Sequence, residues 1–397
     1  VNKIVKKTYE QVASKYGIDY LHQEKNVQDF FNQRLIPHKL SQNGPCLAVG
    51  DLNGDYKEDF IIGSSSDFSP VIYFQTTQNS FKAQDLFTSA SDKAYEIESI
   101  ALFDADQDGD LDLYLVSGGN MEDSGRAKHE DRLLLNNGKG NFKISKGNLP
   151  VIYSNGAVVR PFDYDLDGDM DLFIGGKNKP NAFPLADESF LLENTSGKFK
   201  SVGPKVFPLI ESLGMVNDAQ WGDINQDGRA DLVIVGEYTG VQFFLNLPEG
   251  FIAQKSVLSE TTGLWRTVQL VDLDDDGDQD ILLGNLGKNN MLSISENTPL
   301  LISTQDIDGN GKVDPLMFCS QKDNNGNWDM YPTQFWDNLT QQSPVFRQEF
   351  NSYSAFSNAN LSYYKEQNII DEDSLLSAKF DESMWAENMG EGKFRFS

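Results

Sequence analysis

The chain has 397 residues, with 60 acidic against 33 basic side chains and a net charge of −27. That balance excludes nucleic-acid backbones and anionic membranes as partners and favours bound cations. No apolar run reaches the ~18 residues of a membrane-spanning helix, residues 1–30 lack a signal-peptide pattern, and Cys46 and Cys319 are too few for a disulfide framework.

In chain order, residues 1–43 are read as a segment that either starts a ring of sheets or lends it a closing strand. From residue 44 a unit recurs. Its mark is a nine-residue loop: DLNGDYKED at 51–59, DADQDGDLD at 104–112, DYDLDGDMD at 163–171, DINQDGRAD at 223–231, DLDDDGDQD at 272–280 and DIDGNGKVD at 306–314. The starts lie 53, 59, 60, 49 and 34 residues apart, and a recurring unit of this length signals a solenoid or propeller array. Before the first five loops stand CLAVG, IALF, VVRPF, AQWG and VQLV; after them stand FIIG, LYLV, LFIG, LVIV and ILLG. These runs are too short for buried helices and are bounded by glycine, so they predict central strands joined by the loop. A second hairpin is read in LLLNNGKGNF (133–142), FLLENTSGKF (190–199), QFFLNLPEGF (242–251) and AENMGEGKF (386–394). Two hairpins per repeat make a four-stranded sheet, the blade of a β-propeller. The expected fold is all-β: one propeller domain of six or seven four-stranded blades over 1–397. Five regular blades occupy 44–300, and an irregular blade occupies 301–397.

Positions one, three, five and nine of each loop carry the chemistry. They are Asp51, Asn53, Asp55 and Asp59; Asp104, Asp106, Asp108 and Asp112; Asp163, Asp165, Asp167 and Asp171; Asp223, Asn225, Asp227 and Asp231; Asp272, Asp274, Asp276 and Asp280; and Asp306, Asp308, Asn310 and Asp314. Alternate side chains of an extended loop point one way. A glycine at position six then brings round the carbonyl of position seven (Lys57, Asp110, Asp169, Arg229, Asp278, Lys312) and the acid of position nine. Such an oxygen cage suits hard Ca²⁺, and five or six ions are expected. An EF-hand shares the opening but needs a bidentate Glu at position 12 and flanking helices. Position 12 here is Ile62, Leu115, Ile174, Ile234, Leu283 and Met317. Pro315 after the sixth loop argues against a dockerin-type helix.

GPCLAVGDLNGDYKEDFIIGSS (44–65) and VRPFDYDLDGDMDLFIGG (159–176) resemble FG-GAP/VCBS repeats, the blades of integrin α-subunit propellers. GIDYLHQEKNVQDFFNQRLIPHKLSQNGPCLAVGD (17–51) and ENMGEGKF resemble Bacteroidetes cell-surface relatives of the UnbV/ASPIC and cartilage-acidic-protein family. The resemblance implies Ca²⁺ in the blade hairpins, export, and a binding or scaffolding role at the cell surface, with a surface protein or glycan as partner, within an outer-membrane assembly. Tyr56 at position six and Asn310 at position five depart from the pattern, in the first and sixth loops.

Residues 320–385 read as an insertion in the irregular blade. Ser343-Pro344 predicts an N-cap followed by Pro at the first helical position, and Phe346, Phe350 and Tyr353 fall on one face of the helix that follows. The insertion is rich in aromatic residues. Trp328 and Trp336 are candidate partner-binding rings, against the alternative that the rings anchor the insertion. His22, His38 and His129 lie in no catalytic motif and are expected at the surface; the sequons at Asn194, Asn338 and Asn360 matter only in a eukaryotic secretory route. A chain ending on the strand-like GKFRFS is expected to be a piece of a longer protein. The function expected is a non-enzymatic extracellular Ca²⁺-binding module; the alternative is a polysaccharide-active, lyase-like propeller.

Overall fold

The ninth residue of each of the first five Asp-rich loops is also the first residue of a buried strand, and this sets the register of every blade. The computed structural model describes residues 9–77, 80–120, 127–323 and 325–396; residues 1–8 of the N-terminal segment lie outside the described residues. Gly50 pairs with Asp59, Phe103 with Asp112, Phe162 with Asp171, Gly222 with Asp231, and Val271 with Asp280. The same antiparallel hairpin is thus built five times.

Blade 1 comprises Leu47–Gly50, Asp59–Ile62, Val71–Thr77 and Ser80–Asp85. Blade 2 comprises Glu96–Phe103, Asp112–Gly118, Arg132–Leu135 and Lys143–Ile144. Blade 3 comprises Gly156–Phe162, Asp171–Gly176, Phe190–Thr195 and Lys198–Ser201. Blade 4 runs through Met215–Gly222, Asp231–Thr239, Gln242–Leu247 and Gly250–Gln254, with Gly263–Leu264 added beside its second strand. The first strands of successive blades lie against one another, from blade 1 through blade 5. Successive residues of a second strand therefore serve opposite neighbours. Leu172 and Ile174 pack with Tyr114 and Val116 of blade 2, while Phe173 packs with Val216 and Ala219 of blade 4. Both faces are buried, which is why these strands read as unbroken apolar runs rather than as alternation.

Blade 5 differs from expectation. Its strands are Thr267–Val271, Asp280–Gly284, Met384–Asn388 and Phe394–Phe396, so the hairpin at 386–394 completes the fifth sheet. Everything between Gly284 and Met384 is nested inside that blade. The nested part holds a sixth sheet in the order Trp328–Pro332, Met317–Lys322, Leu300–Ser303, Leu375–Ala378. Its last strand pairs with its first rather than its third, which is not blade order. The expected boundaries, a fifth blade finished by 300 and an insertion at 320–385, are corrected accordingly. The 386–394 hairpin carries the same local signature whichever strand it pairs with.

An Asp-rich loop joins the first strand of a blade to its second, so the far ends of the second strands mark the opposite face of the array. The sixth sheet sits on that face. Leu300, Ile302, Met317 and Cys319 share a buried cluster with Met215, Tyr238 and Leu264 of blade 4 and with Ile36, Leu40 and Phe183. Residues of the N-terminal segment run along the same face as a strap, not as a strand of any described sheet. Lys25 bonds Ser65, Gln33 pairs with the backbone of Phe183, and the Arg34 N–H donates to Gln342.

Helices Trp336–Gln342, Pro344–Glu349, Tyr353–Ser357 and Leu361–Glu366 fill out the nested part. Ser343 caps the second of them through the Val345 N–H (3.2 Å), with Pro344 at its start as expected. Phe346 and Phe350 are fully buried. Tyr353 does not continue their face: the helix stops at Glu349, Ser352 caps a new one, and Tyr353 is 57% exposed.

Candidate metal centres

The six loops share one backbone shape. Positions four and six both have positive φ in every loop: Gly54 and Tyr56, Gln107 and Gly109, Leu166 and Gly168, Gln226 and Gly228, Asp275 and Gly277, Gly309 and Gly311. In the second to fifth loops the sequence signals only the second of these, through glycine. The first and sixth loops, which depart in sequence, keep the shape. Tyr56 adopts φ 62° with its ring in solvent, and Asn310 takes the place of the position-five acid in the hydrogen-bond pattern.

Each loop winds around its own carboxylates. The first aspartate accepts from the N–H of position five or six, as when Asp163 accepts from Asp167 (3.1 Å) and Gly168 (3.0 Å). Position five accepts from the N–H of position seven: Asp55 from Lys57, Asp108 from Asp110, Asp167 from Asp169, Asp227 from Arg229, Asp276 from Asp278 and Asn310 from Lys312. These bonds draw the side-chain oxygens inward. The result is three carboxylates with oxygens within 4.8 Å of one another at four places: Asp104–Asp106–Asp108, Asp163–Asp165–Asp171, Asp272–Asp274–Asp276 and Asp306–Asp308–Asp314. Like charges so close repel by about 1–4 kcal/mol per pair, depending on the effective dielectric. In the loops at 51–59 and 223–231, Asn53 and Asn225 stand at position three, and no three-acid group forms among the described residues.

The ninth aspartate is a clamp. Asp59, Asp112, Asp171, Asp231, Asp280 and Asp314 are at most 1% exposed. One oxygen of each accepts the N–H of position two, from Leu52, Ala105, Tyr164, Ile224, Leu273 and Ile307 at 2.9–3.2 Å. The other oxygen accepts the N–H of Gln75, Asn194, Asn246 or Asn388 on the third strand of its blade, or in blade 2 of Asn136 directly after it, at 2.8–2.9 Å. In the sixth sheet the Gln342 amide does this for Asp314. Burial pushes the carboxyl of Asp112 up to about 6, Asp171 to about 7 and Asp231 to about 6, against the lowering effect of those N–H donors.

These four asparagines also tie neighbouring blades together. The side-chain amides of Asn136, Asn194, Asn246 and Asn388 donate to the position-two carbonyls of the preceding loops, at Leu52, Ala105, Tyr164 and Ile224 (2.7–3.0 Å). In the sequence alone these residues read as turn formers. The signal was present, since an Asn closes the third-strand run in LLLN, LLEN, FFLN and AEN. Asn194 is thereby fully buried, which removes it as a glycan acceptor.

A hard cation fits the donor sets. They are oxygen-only, each clamped carboxylate oxygen keeps a second lone pair, and Asp106 and Asp278 each have a buried Oδ1 with no hydrogen-bond partner among the described residues. The other candidates lie apart from the loops. Trp328 is 60% exposed with the Lys322 ammonium 5.2 Å from its ring centre. Trp336 is half-buried against the cluster of Phe318, Phe346, Phe350 and Tyr364, and meets Tyr353 edge-on. His129 is buried, not at the surface as expected, and His22 is half-buried between the Tyr20 hydroxyl (2.9 Å) and Glu24 (2.6 Å).

Residues 33–115 and 223–283 match the family profile described as FG-GAP-like repeat. In these two stretches the chain is similar to FG-GAP-like repeats. The matched stretches contain the first, second, fourth and fifth loops, and the third repeats their register and hydrogen bonds. Among solved structures, one described as showing specific recognition of non-reducing terminal N-acetylglucosamine by an Agrocybe aegerita lectin is similar over 89% of this chain and 79% of that one. The two are 16% identical with a TM-score of 0.43, too loose a likeness to carry a function across. No curated protein matches the sequence.

Proposed function

We propose that the protein is an exported, Ca²⁺-stabilised binding module without catalytic activity, acting at the cell surface through the sixth sheet. The observation that carries the metal reading is the recurrence of a three-acid group at the same loop register of three blades, and again in the loop at 306–314. A catalytic pair should be unique; a repeated one is structural. Ca²⁺ at these cages supplies positive charge that offsets the repulsion among the loop acids, while the chain's own ninth aspartates hold the loop to the sheet. Sites of this ligand class in extracellular modules bind at ~10⁻⁴–10⁻³ M and would be empty at cytosolic Ca²⁺, which supports export. The N-terminal and C-terminal stretches quoted above support kinship with Bacteroidetes surface relatives of the UnbV/ASPIC family, within an outer-membrane assembly.

Partner binding belongs where the repeat is broken. A cleft of about 290 Å³ opens between the Met317–Lys322 and Trp328–Pro332 strands and the end of the Tyr353–Ser357 helix. Phe335 at its edge is 75% exposed, and the Tyr331 hydroxyl makes no hydrogen bond among the described residues. An exposed ring beside an unspent neutral hydroxyl suits a saccharide or a polar protein loop. Calorimetric titration of the metal-stripped chain with Ca²⁺ tests the first half; no heat at millimolar Ca²⁺ would sink it. For the second, Phe335→Ala should abolish capture of surface glycans or proteins without lowering the melting temperature.

A further inference from the structure

The two ends of the five-blade array are open in the same way that its interior is closed. Two residues after the ninth aspartate, the second strand presents a side chain to the next blade: Ile61, Tyr114, Phe173 and Val233 in blades 1 to 4, all fully buried. In blade 5 that place is taken by Leu282, which is 38% exposed beside the exposed Thr267 and Gln269 and the half-buried Trp385. At the other end, the first strand presents to the preceding blade the residues one and three before its register partner. These are Leu102 and Ile100, Pro161 and Val159, Trp221 and Ala219, and Leu270 and Val268, buried or half-buried throughout. In blade 1 they are Val49 and Leu47, 52% and 58% exposed. The strap covers only the outer part of that face, with Gly17 against Phe81 and Tyr20 against Gly63.

The amide latch stops at the same edge. The position-two carbonyls of the first four loops each accept an amide from the next blade, but the carbonyl of Leu273 accepts none among the described residues. In blade 1, Gln75 stands where the latching asparagines stand, its N–H on Asp59 (2.8 Å). Its side-chain amide makes no hydrogen bond among the described residues.

We propose that these two faces are one heterologous interface, joining blade 5 of one chain to blade 1 of a second copy. Leu47 and Val49 of one chain cover Leu282 and Trp385 of the other, and Gln75 supplies the amide that the Leu273 carbonyl lacks. Each chain carries both halves, so a second copy meets both deficits without any other component. The contact is head-to-tail and leaves a free face at each end of the assembly. This inference stands apart from the metal reading.

Sedimentation velocity in ~0.15 M salt, where surface charge is screened beyond ~8 Å, tests it. The wild-type chain should rise from its 44.4 kDa mass to at least twice that by about 100 µM protein, a concentration above even a weak dissociation constant of ~40 µM. A double variant Leu47→Lys/Val49→Lys and a single variant Leu282→Lys alter exposed side chains only and should each stay monomeric. Mixed in equal amounts, they should form a dimer and stop there, because each retains one intact face. A wild-type chain that stays monomeric overturns the proposal and leaves those faces to a blade from elsewhere. Association that persists in either variant alone also overturns it.

Discussion

Tyr56 is the one residue with a large side chain at a loop position where the other five loops place glycine, and it holds φ 62° with 98% of its surface exposed. A left-handed conformation costs a non-glycine residue about 1–2 kcal/mol, and here no packing offsets it. Tyr56→Gly should therefore leave stability unchanged or raise it by up to about 1 kcal/mol in urea denaturation, the gain limited by glycine's greater freedom when unfolded. Gly168→Ala, at the same position of the third loop, should lose about 1 kcal/mol. The latch asparagines make the opposite case. Asn194→Ala leaves the Ala105 carbonyl buried without a donor, and should cost about 1–3 kcal/mol. Position four explains why part of this geometry was illegible: Gln107, Leu166, Gln226 and Asp275 adopt positive φ with no glycine to announce it. There the inward hydrogen bonds of the loop outweigh the local backbone preference.

At the scale of the element, the hairpin of loop and following strand was readable because its signals are local. Acids at alternate positions followed by a short apolar run specify a turn and a doubly buried strand without reference to the rest of the chain. The clamp aspartates give that hairpin a pH response. Asp112, Asp171 and Asp231 have folded values near 6–7, well above the ~3.9 of an unfolded aspartate. Between those limits the folded state holds more protons than the unfolded state, so stability falls as pH rises from about 4 to 7. The metal-free chain should melt at a higher temperature at pH 5.5 than at pH 7.5. A bound cation favours the ionised carboxylates, so Ca²⁺ should shrink the difference. What remains should include Asp131, buried against the Tyr114 hydroxyl (3.0 Å) and pushed up to about 7 away from any loop. Paired thermal melts with and without EDTA check both statements; a metal-free chain more stable at pH 7.5 contradicts them.

For the whole molecule, net charge and the loops act together. Each divalent ion removes two of the 27 excess negative charges and ties together acids that otherwise repel, so chelation should lower the melting temperature and added Ca²⁺ should restore it by mass action. A melting temperature indifferent to EDTA would contradict the metal assignment. The helical part answers to packing instead. Phe350 is 1% exposed within the cluster of Phe318, Phe346 and Tyr364, and Phe350→Ala should cost about 3–5 kcal/mol with or without metal. What could not be read at this scale was pairing. A third strand of the form AEN fits any second strand of the repeat, so nothing local says that Asn388 belongs with Asp280 rather than with the sheet immediately before it.

The nesting has a consequence for how the molecule is made. As the chain leaves the ribosome, blades 1 to 4 can close in turn, but blade 5 remains a pair of strands while the next hundred or so residues emerge. At typical synthesis rates of 5–20 residues per second that wait lasts roughly 5–20 s. During it the blade-4 face of Val233, Val235 and Phe243 is only half covered, and the Ile224 carbonyl waits for an amide 164 positions away. The last segment synthesised is thus a bolt. A nascent chain arrested before Met384 should be held by chaperones and cut readily in blade 5, whereas one arrested after blade 3 should already protect blades 1 and 2.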